Sequence, residues 1–406
     1  MSSVITGRIA GRSLPRPVAF WLVGAIFVAL LASSGVPSPI YAIYQDKWGF
    51  SETVLTVVFG VYPVMVLVSL LMFGSLSDAI GRRRVLVVAL VVAIVSMTLF
   101  IAAQGVGWLL AARAAQGVAV GTAAGAMSAA LVELSPATAP RRGTLVNGLS
   151  PTLGLGVGAL GAGILVAYAP GPTILSYVLL LAVFAAMCVA VAYLPETAEN
   201  AGGTLTIRPR RISVPPGTRR LFALLSLAMV AVWSVGGFYL SLGPSLVMEL
   251  LGSENHLVGA LAITLLTGIA TAVQLAVDSW PVRRTTGVGL CLLLAGLTAV
   301  LLALGMRSAA VFLIGSALLG LGHGATFLGA FRSLNALAPP ERRAELLAAV
   351  YAVIYLSVSL PAIAAGAIAT RLGLHRTATL FAIAVAAACV LALAGLLRTV
   401  PGRAES

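Results

Sequence analysis

Twelve stretches of this 406-residue sequence stay apolar for roughly twenty residues or more, and only Arg113 places a full charge in the interior of one. Few folds accommodate that pattern. The hydrocarbon core of a bilayer is about 30 Å thick, and a helix rising 1.5 Å per residue crosses it in about 20 residues. The stretches fall near 17–43, 53–74, 85–103, 107–132, 143–168, 172–194, 221–248, 256–277, 287–305, 309–331, 345–369 and 376–397. Each is long enough to span as a helix. Gly and Pro inside them are tolerable where neighbouring helices repack the gap.

Composition agrees. Twelve such helices would occupy ~240 positions, close to the 60% hydrophobic share of the sequence. Charged residues make up 9%, against the roughly 25% with which a soluble domain covers its surface, and mean hydropathy is +1.06. The expected fold class is an all-α membrane protein with 12 transmembrane helices. Arg8, Arg12 and Arg16 before the first stretch resemble the start of a signal peptide. Cleavage near Ala32-Ser33-Ser34 would leave eleven spans and spoil the internal symmetry described below, so an uncleaved first helix is expected.

The formal net charge of +13 does not indicate nucleic acid. Almost every basic residue is an Arg in a short cluster between apolar stretches, with no basic stripe interleaved with aromatics. With the N-terminus inside, 20 of the 25 basic residues fall on inner segments and only Lys47, Arg307, Arg371 and Arg376 on outer ones. That asymmetry predicts both termini in the cytoplasm of a bacterial cell, anchored to the lipids of the inner membrane. Cys188, Cys291 and Cys389 lie in apolar runs, where each is expected to pack as a small hydrophobe; no disulfide framework or metal-ligand spacing is apparent.

The chain is internally duplicated. Asp78-Ala79-Ile80-Gly81-Arg82-Arg83-Arg84 recurs 200 positions later as Asp278-Ser279-Trp280-Pro281-Val282-Arg283-Arg284. Pro140-Arg141-Arg142-Gly143-Thr144-Leu145 recurs at an offset of 201 as Glu341-Arg342-Arg343-Ala344-Glu345-Leu346. Two pseudo-symmetric six-helix bundles follow, at 17–194 and 221–397, joined by a solvated cytoplasmic linker at 195–220 and flanked by tails at 1–16 and 398–406.

Three motifs give the chain a resemblance to the major facilitator superfamily over essentially its whole length. Gly74-Ser75-Leu76-Ser77-Asp78-Ala79-Ile80-Gly81-Arg82-Arg83-Arg84-Val85-Leu86 resembles the family signature between helices 2 and 3, lacking only the basic residue after Asp78. Arg113-Ala114-Ala115-Gln116-Gly117 resembles the Arg-x-x-Gln-Gly motif of many proton-coupled members. Gly154 to Gly163 resembles a glycine-rich motif of drug:proton antiporters, with Ala159 in place of Pro and Ala162 in place of Gly. The resemblance implies alternating access driven by a proton gradient, with no cofactor. It implies that Asp78 and Arg82, with Gly74, Gly81, Arg83 and a partner such as Glu133, hold the halves closed on the cytoplasmic side. Otherwise the cluster is a topological anchor.

Arg113 is expected to face a polar cavity beside Gln116, or else to snorkel to the outer interface. His323, between Gly322 and Gly324, is the ionisable residue closest to mid-membrane. It either carries a proton or is a neutral ring hydrogen-bonded across helices. Tyr62, Asn147, Ser150, Trp233, Phe327, Tyr351 and Tyr355 are the candidate lining of a neutral, aromatic substrate cavity at mid-depth, and the Ser33-to-Pro39 run should bend the first helix. Such a cavity favours amphipathic or apolar organic molecules. The expected partners are a small-molecule substrate, protons and membrane lipids, with a monomer holding the whole pathway. Export is the leading direction and uptake by proton symport the alternative. An intramembrane enzyme lacks the necessary acid, histidine or nucleophile sets, and no nucleotide-binding P-loop is present.

Overall fold

The structure is a computed structural model that describes residues 13–198, 209, 211–252, 255–337 and 342–398. Arg8, Arg12, Arg208, Arg210, Glu341 and Arg403, with most of the two tails and of the linker, lie outside the described residues.

The first half contains α1 (Arg16–Gly35), α2 (Pro37–Trp48), α3 (Glu52–Phe73), α4 (Leu76–Ile80), α5 (Arg82–Ile101), α6 (Val106–Glu133), α7 (Arg141–Tyr168) and α8 (Leu175–Val191). The second contains α9 (Arg219–Ser241), α10 (Gly243–Leu251), α11 (His256–Ala276), α12 (Val282–Met306), α13 (Ala309–Ala336), α14 (Arg343–Leu372) and α15 (Leu374–Arg398). With α1–α2 and α9–α10 each counted as one bent rod, these make twelve spans. Eleven are long and apolar enough to cross a membrane unaided, and α8, at 17 residues, is shorter than the 172–194 stretch suggests. The described chain begins and ends on one face, together with most of its arginines. Apolar side chains such as Val88, Val95, Leu302 and Leu391 cover the periphery of the rods, as lipid-facing surfaces require. Cys389 is buried, Cys188 half-buried and Cys291 exposed on that periphery, so Cys291 is not the packed residue expected.

Both bends have the same cause. Pro37 and Pro39 follow Gly35-Val36 in span 1, and Gly243-Pro244 follow Leu242 in span 7. A proline supplies no N–H to the helix ladder and suits the first turn of a new helix. The first bend matches the sequence expectation; its mirror in span 7 was not expected. The segments beyond the bends, α2 and α10, meet one another across the two halves.

Two long seams join the bundles, α3 against α14 and α7 against α11. Small residues let the backbones approach. A Cβ on Gly60 would meet Ile363, one on Gly156 would meet Thr267 and one on Gly366 would strike Thr56. The described hydrogen bonds between the halves run from the face opposite the arginines to mid-depth. There Thr53 and Thr370 hydroxyls lie 2.9 Å apart, and deeper in, the Thr271 hydroxyl (2.8 Å) and the Gln274 amide (3.1 Å) both donate to Thr152 Oγ1. The molecule is therefore closed on the face opposite the arginines.

The glycine-rich stretch of α7 serves both neighbours. Gly154 and Gly158 admit the backbone of α1 around Val28–Ala32, while Gly156 and Gly163 admit Thr267 and Ala260 of α11. Alternate small positions thus hold α7 between its own bundle and the other one.

Candidate functional site

On the Arg-rich face, the chain turns from α4 into α5 at Gly81. Its φ of 99° is in the left-handed region, where a side chain is strained. The turn places Arg82 beneath the end of α6. Its guanidinium pairs with Asp78, donates to Ser77 Oγ at 2.6 Å and reaches Glu133 Oε1 at 3.1 Å. Glu196, just after span 6, accepts from the backbone N–H groups of Arg82 (2.8 Å) and Arg83 (3.2 Å), and the Thr197 hydroxyl donates to Glu133. A carboxylate on the free N–H groups at a helix start satisfies donors that have no partner within the helix.

All these groups belong to the first half and its linker. The expectation that Asp78 and Arg82 bridge the two halves is corrected on this point: in this conformation they tie α4, α5, α6 and residues 196–197 together, and the linker begins docked rather than free in solvent. Gly125 of α6 lets the backbone of Gly74, at the end of α3, approach closely. Arg83 contributes its backbone N–H to this network.

In the half of α6 away from the Arg-rich face, Arg113 is 1% exposed. It neither snorkels nor faces an open cavity. Nη1 donates to Ser34 O (3.2 Å) and Gln116 Oε1 (2.7 Å), and Nη2 to Phe59 O (3.4 Å). The guanidinium lies over the Tyr62 ring at 4.6 Å and the Phe59 ring at 5.5 Å, in the manner of a cation–π contact. Gln116 in turn donates to Ser33 O at 2.8 Å. The Ser33-Ser34 carbonyls at the bend of span 1 thus hold the Arg-x-x-Gln pair of span 4.

The second half contains a continuous row of aromatic rings. Trp233 meets His323 edge-on at 5.5 Å and Phe327 at 5.3 Å; Phe331, Tyr351 and Tyr355 continue the row with centroid spacings of 5.5 to 6.5 Å. Tyr355 stands on α14, which packs against α3, the helix that carries Tyr62. His323 is 2% exposed, and its Nδ1 has no hydrogen-bond partner among the described residues. The glycines around it serve packing: Gly320 and Gly324 admit α11 and Gly322 admits α12.

Tyr62, Trp233, Phe327, Tyr351 and Tyr355 therefore come together. Asn147 and Ser150 do not join them through the bonds they make. Asn147 accepts from Ser128 of α6 at 2.8 Å, and Ser150 donates to its own helix at Val146 O. Both bonds stay inside the first half, that of Asn147 reaching α6 and that of Ser150 closing on its own helix.

A family model described as Major Facilitator Superfamily matches residues 22–280, more than half of the sequence. The chain belongs to the major facilitator superfamily. Solved transporters share its architecture. A bacterial homolog of the human lysosomal transporter Spinster, in an inward-facing and occupied conformation, is similar with a TM-score of 0.76 and 12% identity over 94% of this chain and 96% of that one. The human organic anion transporter MFSD10 (TETRAN) gives 0.68 and 15% over 94% and 100%, and a POT family transporter in complex with 5-aminolevulinic acid gives 0.73 and 13% over 93% and 95%. Identities this low speak for the shared fold alone. No curated protein sequence matches.

Two features of this major facilitator escaped the sequence reading. Glu196 and Thr197 join the Arg82 cluster from more than a hundred residues away; their only signal is an acid directly after the last span of a half. Asp278 and Arg332 pair in the second half. The duplicated loop marked Asp278, but nothing in the pattern named its partner.

Proposed function

We propose that this major facilitator is a secondary active transporter of a bacterial inner membrane, with the Arg-rich face and both termini in the cytoplasm. It works by alternating access and exports small amphipathic or apolar organic molecules in exchange for protons. The observation that carries this reading is the row of aromatic rings from Trp233 to Tyr355 in the second half, with Tyr62 of the first half on the helix packed against α14. An apolar wall with a few convergent polar groups suits amphipathic organic ligands. The seams supply the moving parts. They are packed through glycine and threonine on one face, so that separating them there and closing the Arg-rich face exposes the crevice to the other side.

His323, an imidazole buried behind Trp233, is the proposed proton carrier, with Arg113 and Gln116 fixing the field of the first half. No cofactor takes part, and a monomer contains the whole route.

The experiment is transport of a panel of fluorescent amphipathic dyes in inverted and right-side-out vesicles, with and without a protonophore. Accumulation in inverted vesicles that collapses with protonophore is the expected result. Accumulation only in right-side-out vesicles would reverse the direction, and indifference to protonophore would remove the proton.

A further inference from the structure

Among the described residues, Arg113 is a buried charge with no opposite charge paired to it. None of the twelve acidic residues lies in the interior of a span, and every hydrogen-bond partner of the guanidinium is neutral: two backbone carbonyls and the Gln116 amide oxygen. Nε has no partner. A buried ion without a counter-ion is among the costlier features a fold can hold.

The duplication shows that the helix packing does not require it. Ser316 occupies the matching place on α13, and there its hydroxyl and that of Tyr239 on α9 share a hydrogen bond of 2.8 Å. Where one half joins span 4 to span 1 through a cation, the other joins span 10 to span 7 through two hydroxyls.

Three further buried polar atoms on helices near Arg113 and the aromatic row also lack partners among the described residues. Trp233 Nε1, which can only donate, is buried without a partner, as are the hydroxyl of Tyr41, an electrostatic neighbour of Arg113, and Nδ1 of His323. A region with a buried fixed cation, the spare Trp233 donor and no carboxylate among the described residues repels cations and rewards anions. The Tyr62 ring, 7% exposed, lies against the guanidinium at 4.6 Å.

We propose that the solute is an amphipathic monoanion and that Arg113 sets this specificity: the apolar body lies along the Trp233–Tyr355 wall and the anionic group turns toward Tyr62 and Arg113. The proposal rests on the transporter reading and narrows its substrate class.

The test uses three probes with one ring system: 1-naphthalenesulfonate, 1-naphthalenesulfonamide and 1-naphthylmethylammonium. Binding to the full-length protein in detergent is read by thermal shift, in chloride and again in gluconate. The sulfonate should bind at least tenfold more tightly than the sulfonamide, and the ammonium most weakly. Arg113→Gln should erase that preference while leaving sulfonamide binding within twofold. Arg113→Lys should keep part of it, since the charge remains and the guanidinium fork is lost. Should the Gln variant fail to fold, the wild-type ranking and the Lys variant decide.

Equal or tighter binding of the ammonium, a preference that survives Arg113→Gln, or no binding of any probe overturns the proposal. Saturation by chloride with no response to sulfonate would put an inorganic anion at Arg113 and overturn it as well. Uptake of the same probes into proteoliposomes separates the two readings. Arg113-dependent sulfonate binding without uptake leaves the anion site standing and sinks transport, whereas uptake of the sulfonamide without any sulfonate preference does the reverse.

Discussion

Arg332 clamps Asp278 twice, donating from Nη1 to its backbone carbonyl at 2.7 Å and from Nη2 to its carboxylate. Asp278 is the duplicate of Asp78, and Arg332 stands at the end of α13 as Glu133 stands at the end of α6. The first half needs Arg82 to join its two acids. The second has Val282 at that position and places the arginine on the helix end itself.

Reversing that charge should expose the clamp. Arg332→Glu puts a carboxylate against Asp278 and should lower stability by about 1–2 kcal/mol, a modest figure because both side chains are about a third exposed. The double variant Asp278→Arg/Arg332→Glu should recover at least half of that loss in a thermal-unfolding cycle. Additive effects would show that the pair contributes nothing.

Asp78→Asn should abolish transport yet leave insertion and thermal stability nearly unchanged, within about 1 kcal/mol, because the Asp78 side chain is 62% exposed. Arg82→Gln should cost more stability, since it leaves Glu133 without its guanidinium and Ser77 without its donor. Unimpaired transport by the Asn variant would remove the latch role.

Thr53→Cys with Thr370→Cys should form a disulfide under mild oxidant, given hydroxyls 2.9 Å apart in the parent. Transport should then stop and return on reduction, because the bond holds the α3–α14 seam shut. Transport that continues with the bond formed would mean the seam does not open.

Gly158→Val should sharply reduce folded protein, because a Cβ there collides with the backbone of Ala32 in α1. Gly161→Ala, three residues on and open on its outward side, should be neutral or gain up to about 1 kcal/mol from helix propensity. Yield and melting temperature of the two variants give the comparison.

His323→Gln should remove a titrating step from the pH profile of transport measured in proteoliposomes. An unchanged profile would remove His323 from coupling.

The spans, their even number, the duplication and the bend at Pro37 are legible in the sequence because each is written in consecutive residues. Hydrophobic length sets a helix whatever it packs against, and a proline interrupts the ladder locally. The motif residues Asp78, Arg82 and Glu133 are likewise visible, as are the aromatics of the crevice wall, since all recur at helical spacing or at span ends.

The partners are not. Whether Arg113 meets an acid, water or two carbonyls depends on where the bend of α1 sets Ser33 and Ser34, and that follows from α7 presenting Gly154 and Gly158 to α1. Asn147 looked like a cavity residue because depth can be read along a helix, but facing cannot when nearly every face is apolar. Glu196 could not be placed before the end of span 6 was brought under α5. The sequence alone determined what crosses the bilayer and how many times, because transfer into lipid depends on local hydrophobicity. Only the tertiary structure decided which polar groups meet inside it, because each such meeting joins residues from helices far apart in the chain.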